Sequence, residues 1–459
     1  MVERATWKTR LGFIFAAIGS AVGLGNIWRF PFQTAEFGGA AFLFVYLVAV
    51  VLIGIPAILA EFVIGRRAQL NAIDAFEKLG HPSWKVVGAL GVFTGFWVLS
   101  YYSVIGGWVM RYIVGSLSGA YFGDPATYFG TVSTGLPALA AHGLFMLVAV
   151  SIVAFGVEEG IERATTVMVP AILVLLVGIA VYAVTLPGAS EGYAYFLSPD
   201  LGAITDNLAS VIPAAVGQAL FSLSLGFSVM ITYASYVGED ENLGVDGLSI
   251  AGFNTGIGVL AGLVAFPLLF AQGVSPDTAG PGAVFVSIPT ALAKLPVGGI
   301  LGLVFFLIVL IAALSSAISL LEVLVSYMVD NYGYARKRLA TIAGSVIFLL
   351  GVPSALDTAW LGWFDGVAVN LFLPLVVFLV VVFVGWILAD EAVAEIREGT
   401  RGGESLAVAW LWSVRTIVLL GVGLSLALGV YELYTPESAY ILPPGLRPWL
   451  LERVPWPLL

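Results

Sequence analysis

The sequence predicts an all-α, polytopic membrane protein. Hydrophobic residues make up 60% of the 459 residues and charged residues only 10%, with a mean hydropathy of +1.01. Soluble globular domains are far less apolar. The apolar stretches have about the 20 residues that a helix needs to cross a bilayer core of roughly 30 Å, and they lack the alternation of barrel strands.

Eleven stretches meet this criterion. They lie at residues 11–34, 40–63, 86–115, 138–156, 164–186, 209–236, 247–271, 299–329, 338–355, 364–388 and 406–432. No long hydrophilic segment interrupts them. We therefore expect residues 1–459 to form a single transmembrane domain in the lipid bilayer.

The basic residues predict the orientation. If the spans alternate, one side receives the amino end and the links between spans 2 and 3 and between spans 8 and 9. Those segments carry Arg4, Lys8, Arg10, Arg66, Arg67, Lys78, Lys85, Arg336, Lys337 and Arg338. Because such residues favour the cytoplasmic side, we expect a plasma-membrane protein with a cytoplasmic amino terminus and, with eleven spans, an external carboxyl terminus.

The composition argues against several function classes. There is no cysteine, so disulfides and thiolate metal sites are not expected. A net charge of −10 argues against nucleic acid as a partner. The two histidines, His81 in a loop and His142 near a span boundary, belong to no visible cluster of nucleophile, base and orienting group. We therefore expect no enzyme activity, and we expect His142 at the membrane interface.

Two stretches are poorly made for a continuous helix in lipid. The first contains GSAVGLGNIWRFP (19–31) and the sixth contains FSLSLGFS (221–228). They begin five spans apart and so cross the membrane in opposite directions, as do the interrupted helices of transporters built from two inverted halves. The predicted halves are spans 1–5 and spans 6–10. In residue numbers these are 1–186 and 209–388, with span 406–432 and an external tail, 433–459, outside the repeat.

An unwound helix at mid-membrane frees backbone groups that lipid cannot satisfy, so it is tolerated where ions, substrate or buried protein meet those groups. Free carbonyls can coordinate Na⁺, and the amino end of a half-helix favours a carboxylate. The alternative is that the glycines only permit close helix packing. Asn26 and Arg29 favour the first interpretation, because polar groups at membrane depth are costly.

The same regions resemble the signatures of a known family. WKTRLGFIFAAIGSAVGLGNIWRFPFQTAEFGGAAF (7–42) and VGQALFSLSLGFSVMITYASYV (216–237) are similar to the first and sixth spans of the neurotransmitter:sodium symporters. The likeness extends from the amino end through span 11 and is closest to the prokaryotic amino-acid branch. It implies the LeuT fold, a 5+5 inverted repeat with spans 1 and 6 unwound at mid-membrane. The twelfth span of most eukaryotic members is missing.

The resemblance implies two sodium sites. The first would use the substrate carboxylate with Ala21, Asn26, Ser222 and Asn254. The second would use the carbonyls of Gly19, Val22 and Ala312 and the hydroxyls of Ser315 and Ser316. These ligands are hard, neutral oxygens, which suit an alkali cation. Taken alone, each serine would be assigned to capping its own helix backbone.

The resemblance also implies an amino-acid substrate. Amine transporters of the family have an aspartate where this chain has Gly23, which a ligand with its own carboxylate does not need. The implied contacts are Ala21, Gly23, Gly25, Val98, Tyr102, Phe221, Ser222, Ser224, Phe227, Ser316 and Leu320. This lining has no charged side chain, so we expect a neutral, hydrophobic amino acid. Without the resemblance, each aromatic would be assigned to packing.

Gates follow from the resemblance as well. Arg29 with Asp365 would form the external pair, Arg4 with Asp330 the cytoplasmic pair, and Trp7 would plug the inner vestibule. An exposed ion pair contributes only about 0–1 kcal/mol, which suits a latch that opens and closes. The alternative for Arg4 is an anchor of the positive-inside type.

A chloride requirement is left open. In chloride-dependent relatives the ion lies near positions that correspond to Tyr46, Gln218, Ser222 and Asn254, with a serine one turn further on. Chloride-independent relatives often have an acid there. This chain has Gly258, which supplies neither.

Two acidic residues, Glu322 and Glu61, lie within predicted spans. Glu322 lies seven residues after Ser315 and so on the same helix face. It would attract departing Na⁺ or accept a counter-transported proton; the alternative is a carboxylate hydrogen-bonded to a neighbouring helix. Glu61 is expected to brace unwound backbone from span 2.

The expected function is uptake of a neutral amino acid, driven by inward Na⁺ flow through alternating access, in a monomer or homodimer. One alternative is Na⁺-coupled transport of another small zwitterion, which would need an aromatic cage if it carries a quaternary amine. A second alternative is a non-transporting amino-acid sensor on the same fold.

Overall fold

The computed structural model describes residues 9–199, 208–238, 241–274, 276, 283–398, 403–434 and 442–444, and every regular element within these ranges is helical. The helices of the amino-terminal half are α1 (Arg10–Ala21), α2 (Gly25–Glu36), α3 (Ala40–Ala68), α4 (Asp74–Lys78), α5 (Pro82–Ser118), α6 (Pro125–Ser133), α7 (Gly135–Ala154), α8 (Gly160–Val184) and α9 (Ala189–Leu197).

The carboxyl-terminal half continues the same pattern of long apolar helices and short connecting ones. Its helices are α10 (Leu208–Ser222), α11 (Val229–Ala234), α12 (Leu243–Ala271), α13 (Ile288–Ala293), α14 (Gly298–Tyr332), α15 (Arg336–Leu356), α16 (Thr358–Arg397) and α17 (Glu404–Leu433). Most of the predicted tail, 433–459, lies outside the described residues.

The described chain contains nine helices that are long and apolar enough to cross a membrane, and a tenth span if the bent pair α1 and α2 is one span. The predicted sixth span is present as α10 and α11, which are separated by residues 223–228. The eleven-span count depends on treating this second pair as one span and stays a prediction. The helix that contains the tenth predicted stretch, 364–388, is longer than that stretch. It is α16, which runs from Thr358 to Arg397.

Four long helices form the main packed body. α14 packs most extensively against α5, and α7 and α15 pack on both each other and α5. His142 on α7 is completely buried here, with Nε2 3.1 Å from the Phe348 carbonyl oxygen and its ring stacked on Phe348. His142 therefore packs between helices, and its expected depth at the membrane interface stays a prediction.

The first broken helix lies across this body. α1 packs against α8, α12 and α14. Its N-cap is Thr9, whose Oγ1 accepts a hydrogen bond from the Gly12 N–H at 2.9 Å. Elsewhere glycine does permit close packing: a Cβ at Gly65 on α3 would lie 2.0 Å from the Ile231 carbonyl oxygen on α11. Close helix packing is therefore one function of glycine in this chain.

Candidate functional site

The first span is broken between α1 and α2, whose axes differ by 45°. Helical bonding fails because Leu24, four residues after Ser20, donates its backbone N–H to Tyr102 Oη at 3.0 Å instead. The Ser20 carbonyl is thereby freed, and it accepts the Ser316 hydroxyl at 2.8 Å. The backbone freedom predicted from the glycines is thus present, and neighbouring side chains satisfy the released groups.

The second break, residues 223–228, separates α10 from α11. Its backbone is left-handed at Ser224 (φ 53°), Gly226 (φ 80°) and Ser228 (φ 59°), which a continuous helix does not allow. The Gly226 N–H donates to Glu61 Oε1 at 2.8 Å. Glu61 on α3 therefore braces unwound backbone, as the sequence predicted.

The two breaks lie against each other. Ser224 Oγ donates to the Ser20 carbonyl at 3.0 Å, and Gln218 Nε2 donates to the Gly25 carbonyl at 2.8 Å. Gly25 has no room for a side chain, since a Cβ there would lie 2.8 Å from Phe221 Cδ1. Glycine at this position lets α10 approach the amino end of α2.

A buried cavity lies where the breaks meet α5 and α14. Ten of the eleven predicted substrate contacts line it, and Ser20 replaces Ser222. The lining residues are Ser20, Ala21, Gly23, Gly25, Val98, Tyr102, Phe221, Ser224, Phe227, Ser316 and Leu320. The sequence did not predict Ser20 as a cavity residue, because the break exposes its backbone carbonyl and a carbonyl is not visible in the residue type. Only its position inside the glycine-rich stretch could have indicated this role.

The cavity has an apolar part and a hydroxyl-rich part. The Phe221 and Phe227 rings meet edge to face with centroids 5.9 Å apart, and Phe221 is only 8% exposed. Opposite them, Gly23 faces two hydroxyls: a Cβ there would lie 2.2 Å from Ser316 Oγ and 2.8 Å from Tyr102 Oη. None of the lining residues is charged, so the surface suits a small molecule without a charged side chain.

The residues of the first predicted sodium site converge beside this cavity. Asn26 Nδ2 lies 2.9 Å from both the carbonyl oxygen and Oδ1 of Asn254. Ser222 Oγ accepts from Gln218 Nε2 at 2.8 Å, and the same amide group binds the Gly25 carbonyl. Ala21 lines the cavity itself. These groups supply amide and carbonyl oxygens of the type that Na⁺ prefers.

The residues of the second predicted sodium site also come together. Ser315 Oγ lies 3.3 Å from the Val22 carbonyl oxygen and 3.0 Å from that of Ala312. A Cβ at Gly19 would lie 3.5 Å from Ser315 Cβ, so the α1 backbone passes directly over α14. The Ser316 hydroxyl, by contrast, donates to Ser20 and turns toward the cavity.

The four residues of the predicted chloride site are all buried. Gln218 and Ser222 are hydrogen-bonded to each other, and Asn254 contacts Asn26. The buried Tyr46 hydroxyl faces the Ser222 and Thr255 hydroxyls without completing a hydrogen bond to a described residue, and Asn254 Nδ2 also lacks a described partner. The Gly258 position faces this group, since a Cβ there would lie 3.5 Å from Asn26 Nδ2.

The two residues of the external gate do not pair in this structure. Arg29 donates to Gln218 Oε1 at 2.7 Å and lies over the Phe221 ring at 5.4 Å. Asp365 instead accepts the Tyr101 hydroxyl at 2.8 Å. Arg29 thus lies over Phe221, which lines the cavity. Their role as a gate stays a prediction.

The cytoplasmic gate lies mostly outside the described residues, because Arg4 and Trp7 fall there. Asp330, at the end of α14, accepts a hydrogen bond from Asn71 Nδ2 at 3.0 Å. Asp74 on α4 belongs to the same group of hydrogen bonds, because it accepts from Asn71 and from Asn331. This end of α14 is thus tied to the link between α3 and α5.

Glu322 on α14 is completely buried and has two partners. It accepts the Tyr236 hydroxyl at 3.2 Å and forms an ion pair with Arg336, the first residue of α15. Arg336 also donates to the Val153 carbonyl at 3.0 Å. The alternative that Glu322 is hydrogen-bonded to a neighbouring helix is confirmed. From the sequence, Arg336 was expected only as a basic residue of the link between spans 8 and 9, and its ion pair with Glu322 was not predicted.

Comparisons with known proteins agree with this architecture. The profile of the Sodium:neurotransmitter symporter family matches residues 4–122 and 134–446. YhdH of Bacillus subtilis, an uncharacterized sodium-dependent transporter, is 37% identical over 434 residues, which cover 91% of this chain and 95% of that protein. The sodium-dependent serotonin transporter of Drosophila melanogaster is 26% identical over 505 residues, covering 95% and 78% respectively.

A solved structure is similar throughout. MhsT, crystallised in complex with L-phenylalanine, is 42% identical and superimposes with a TM-score of 0.85 over 93% of this chain and 100% of that chain. MhsT has the LeuT fold, so the predicted fold class is confirmed. Because the family profile covers nearly the whole chain and the relatives are sodium-dependent membrane transporters, this chain belongs to the sodium:neurotransmitter symporter family.

Proposed function

We propose that the chain is a symporter that imports a neutral, hydrophobic amino acid together with Na⁺. Family membership establishes sodium-coupled transport, and the cavity is the basis for the substrate. The observation that carries the proposal is its lining, which combines apolar and hydroxyl groups without a charged side chain. A buried charged side chain on the substrate would have no partner there and would be strongly disfavoured.

The Gly23 position supports a substrate with its own carboxylate. Ser316 and Tyr102 leave no room for an aspartate at this position, so an amine without a carboxylate would lack a counter-charge. The amino end of α2 begins at Gly25 beside the same cavity, and helix amino ends favour anions. The structure of MhsT with L-phenylalanine is consistent with this class of ligand.

We infer that two Na⁺ ions bind beside the substrate. Asn26, Asn254, Ser222 and Ala21 would hold the first, and Ser315 with the surrounding backbone would hold the second. A bound Na⁺ at the first site would supply positive charge to the substrate carboxylate. Since substrate and ion then share oxygen ligands, each raises the affinity of the other, which is the thermodynamic basis of coupling.

Orientation and internal symmetry complete the proposal. The basic residues favour a cytoplasmic amino terminus, so span 1 begins inside. The contact between the two breaks supports two inverted halves, 1–186 and 209–388, that meet at the site. Alternating access then requires the external residues Arg29 and Asp365 to approach and separate during the cycle.

Chloride at the Tyr46 group is a second hypothesis. The Tyr46 hydroxyl and Asn254 Nδ2 are buried donors without a described partner, and donors of this type suit an anion. Transport should be measured with gluconate in place of chloride. Undiminished transport would exclude a chloride requirement. A loss of transport in gluconate would support one, and Tyr46→Phe should then need more chloride for half-maximal transport.

The substrate proposal is tested by ligand binding to the purified protein. Neutral amino acids and a betaine should be compared in Na⁺ and in K⁺, with Asn26→Ala as the site variant and Asn331→Ala, at the exposed end of α14, as the matched control. We expect Na⁺-dependent binding of phenylalanine-like or leucine-like ligands that Asn26→Ala removes. Preference for the betaine would indicate another zwitterion, and binding that ignores Na⁺ would contradict the proposal.

A further inference from the structure

The last span carries an arginine on its outward surface. Arg415 lies in α17 among residues exposed on the outside of the bundle, including Trp412, Ile417 and Leu420, which are 57%, 46% and 71% exposed. In a membrane protein such a surface faces lipid. An arginine there is costly unless its charge reaches the interface or finds a partner.

A backbone carbonyl of the neighbouring helix α16 holds the Arg415 side chain. Arg415 Nε donates to the Gly385 carbonyl at 2.6 Å. Both helices are locally π-helical at this height, over Phe383–Leu388 in α16 and Val414–Val418 in α17. A Cβ at Gly385 would lie 3.4 Å from Arg415 Cγ, so the aliphatic stem of Arg415 passes close to α16 at this residue. Bulges of this kind are frequent at functional positions.

Two exposed tryptophans flank the guanidinium. Its Cζ lies 6.0 Å from the centroid of the Trp386 ring and 5.5 Å from that of Trp412. Tryptophan is enriched where the bilayer core meets the headgroups. Just beyond Trp386 the backbone of α16 has a positive φ at Ala389 (φ 28°), and the polar segment Ala389–Arg397 follows. These features favour headgroup depth for Arg415, which requires the bilayer core to begin later in α17 than residue 406, where the sequence predicted the start of this span.

No acidic side chain neutralises this arginine within the described part of the chain. The arginines that form ion pairs near this end of α16 are Arg66, Arg67 and Arg397. A guanidinium has five N–H donors in a planar fork, and the Gly385 carbonyl occupies one. The remaining donors match the oxygens of a phosphate, which arginine binds in a bidentate manner.

We propose that Arg415, held by Gly385 and flanked by Trp386 and Trp412, binds the phosphate of an anionic phospholipid at the surface where α17 packs against α16. The lipid belongs to the leaflet on the side of the α16–α17 connection. This site is separate from the transport cavity, and its occupancy fastens the peripheral α17 to α16.

The test is native mass spectrometry of the full-length, detergent-purified protein with phosphatidylglycerol and phosphatidylcholine as probes. We expect the wild type to retain phosphatidylglycerol preferentially. Arg415→Gln should reduce that preference about five- to tenfold, as expected for one arginine beside an anionic lipid. Arg338→Gln is the matched control, because Arg338 is also exposed and stacked on an aromatic ring, at 5.1 Å from Tyr334, and it should leave the preference unchanged.

Two further arms keep the result decisive. Arg415→Lys retains the charge but not the fork and should give an intermediate preference, and Trp386→Leu should weaken binding if Arg415→Gln does not fold. Excess inorganic phosphate should not displace the lipid. A wild type without preference, an Arg415→Gln protein with full preference, or displacement by phosphate would each overturn the proposal.

Discussion

The broken helices and the continuous helices contribute to the site in different ways. The breaks of α1–α2 and α10–α11 supply backbone groups, such as the Ser20 carbonyl, together with two phenylalanines. The continuous α5 and α14 supply side chains, including Tyr102, Val98 and Leu320. In our proposal the freed backbone of the breaks recognises what all amino acids share, whereas Val98 and Leu320 of α5 and α14, together with the two phenylalanines, select among side chains.

The largest expected effect concerns the continuous helices. Arg336→Gln would leave Glu322 buried without its ion-pair partner, which costs about 3–5 kcal/mol of folding stability. Adding Glu322→Gln should restore most of that loss, because a neutral amide can still accept from Tyr236. Thermal unfolding in detergent measures both variants, and a double variant as unstable as the single one would show that Arg336 acts through other contacts.

The next effect concerns the first break. Gly23→Ala places a Cβ against Ser316 and Tyr102 and should weaken substrate binding about 100-fold, equivalent to about 2.7 kcal/mol. Gly252→Ala in α12 is the control, since a Cβ there meets nothing within 4 Å. Equilibrium binding of phenylalanine compares them, and equal affinities would mean that the substrate does not lie beside Gly23.

A smaller effect should separate the selecting helices from the breaks. Leu320→Ala on α14 enlarges the apolar part of the cavity and should shift preference toward larger side chains by about tenfold, the range expected for a few methylenes. Na⁺ dependence should persist. Competition by leucine, phenylalanine and tryptophan measures the shift. If Leu320→Ala removed Na⁺ dependence and left selectivity unchanged, the proposed division would be wrong.

The smallest effect lies outside the spans. Partial burial raises the pKa of Asp74, but hydrogen bonds from Asn331, Asn71 and Lys85 and the charge of Lys85 lower the pKa below its usual value overall. A carboxylate with a lowered pKa stabilises the fold at neutral pH and loses this contribution as pH falls through that pKa. Asn331→Ala should therefore cost about 0.5–1 kcal/mol near pH 7, and the difference should shrink in acid. A pH-independent difference in thermal unfolding would contradict this.

The sequence predicted the cavity better than the polar contacts around it. Glycines and polar residues inside apolar stretches mark the breaks, and the family resemblance places Val98 and Leu320 on the helices that face them. The pairing of Arg336 with Glu322 was not predictable, because it depends on how α15 packs against α14. Likewise, the spacing of Arg29 and Asp365 does not reveal that Gln218 and Tyr101 bind them in this structure.

The central claim is that freed backbone holds substrate and Na⁺ in one shared set of ligands. It is tested most directly by measuring Na⁺ affinity at several concentrations of phenylalanine, and phenylalanine affinity at several concentrations of Na⁺, on the same purified protein. The account predicts that each ligand raises the affinity of the other by the same factor, about tenfold or more for a coupling of about 1.4 kcal/mol. Affinities that do not depend on the other ligand would contradict it.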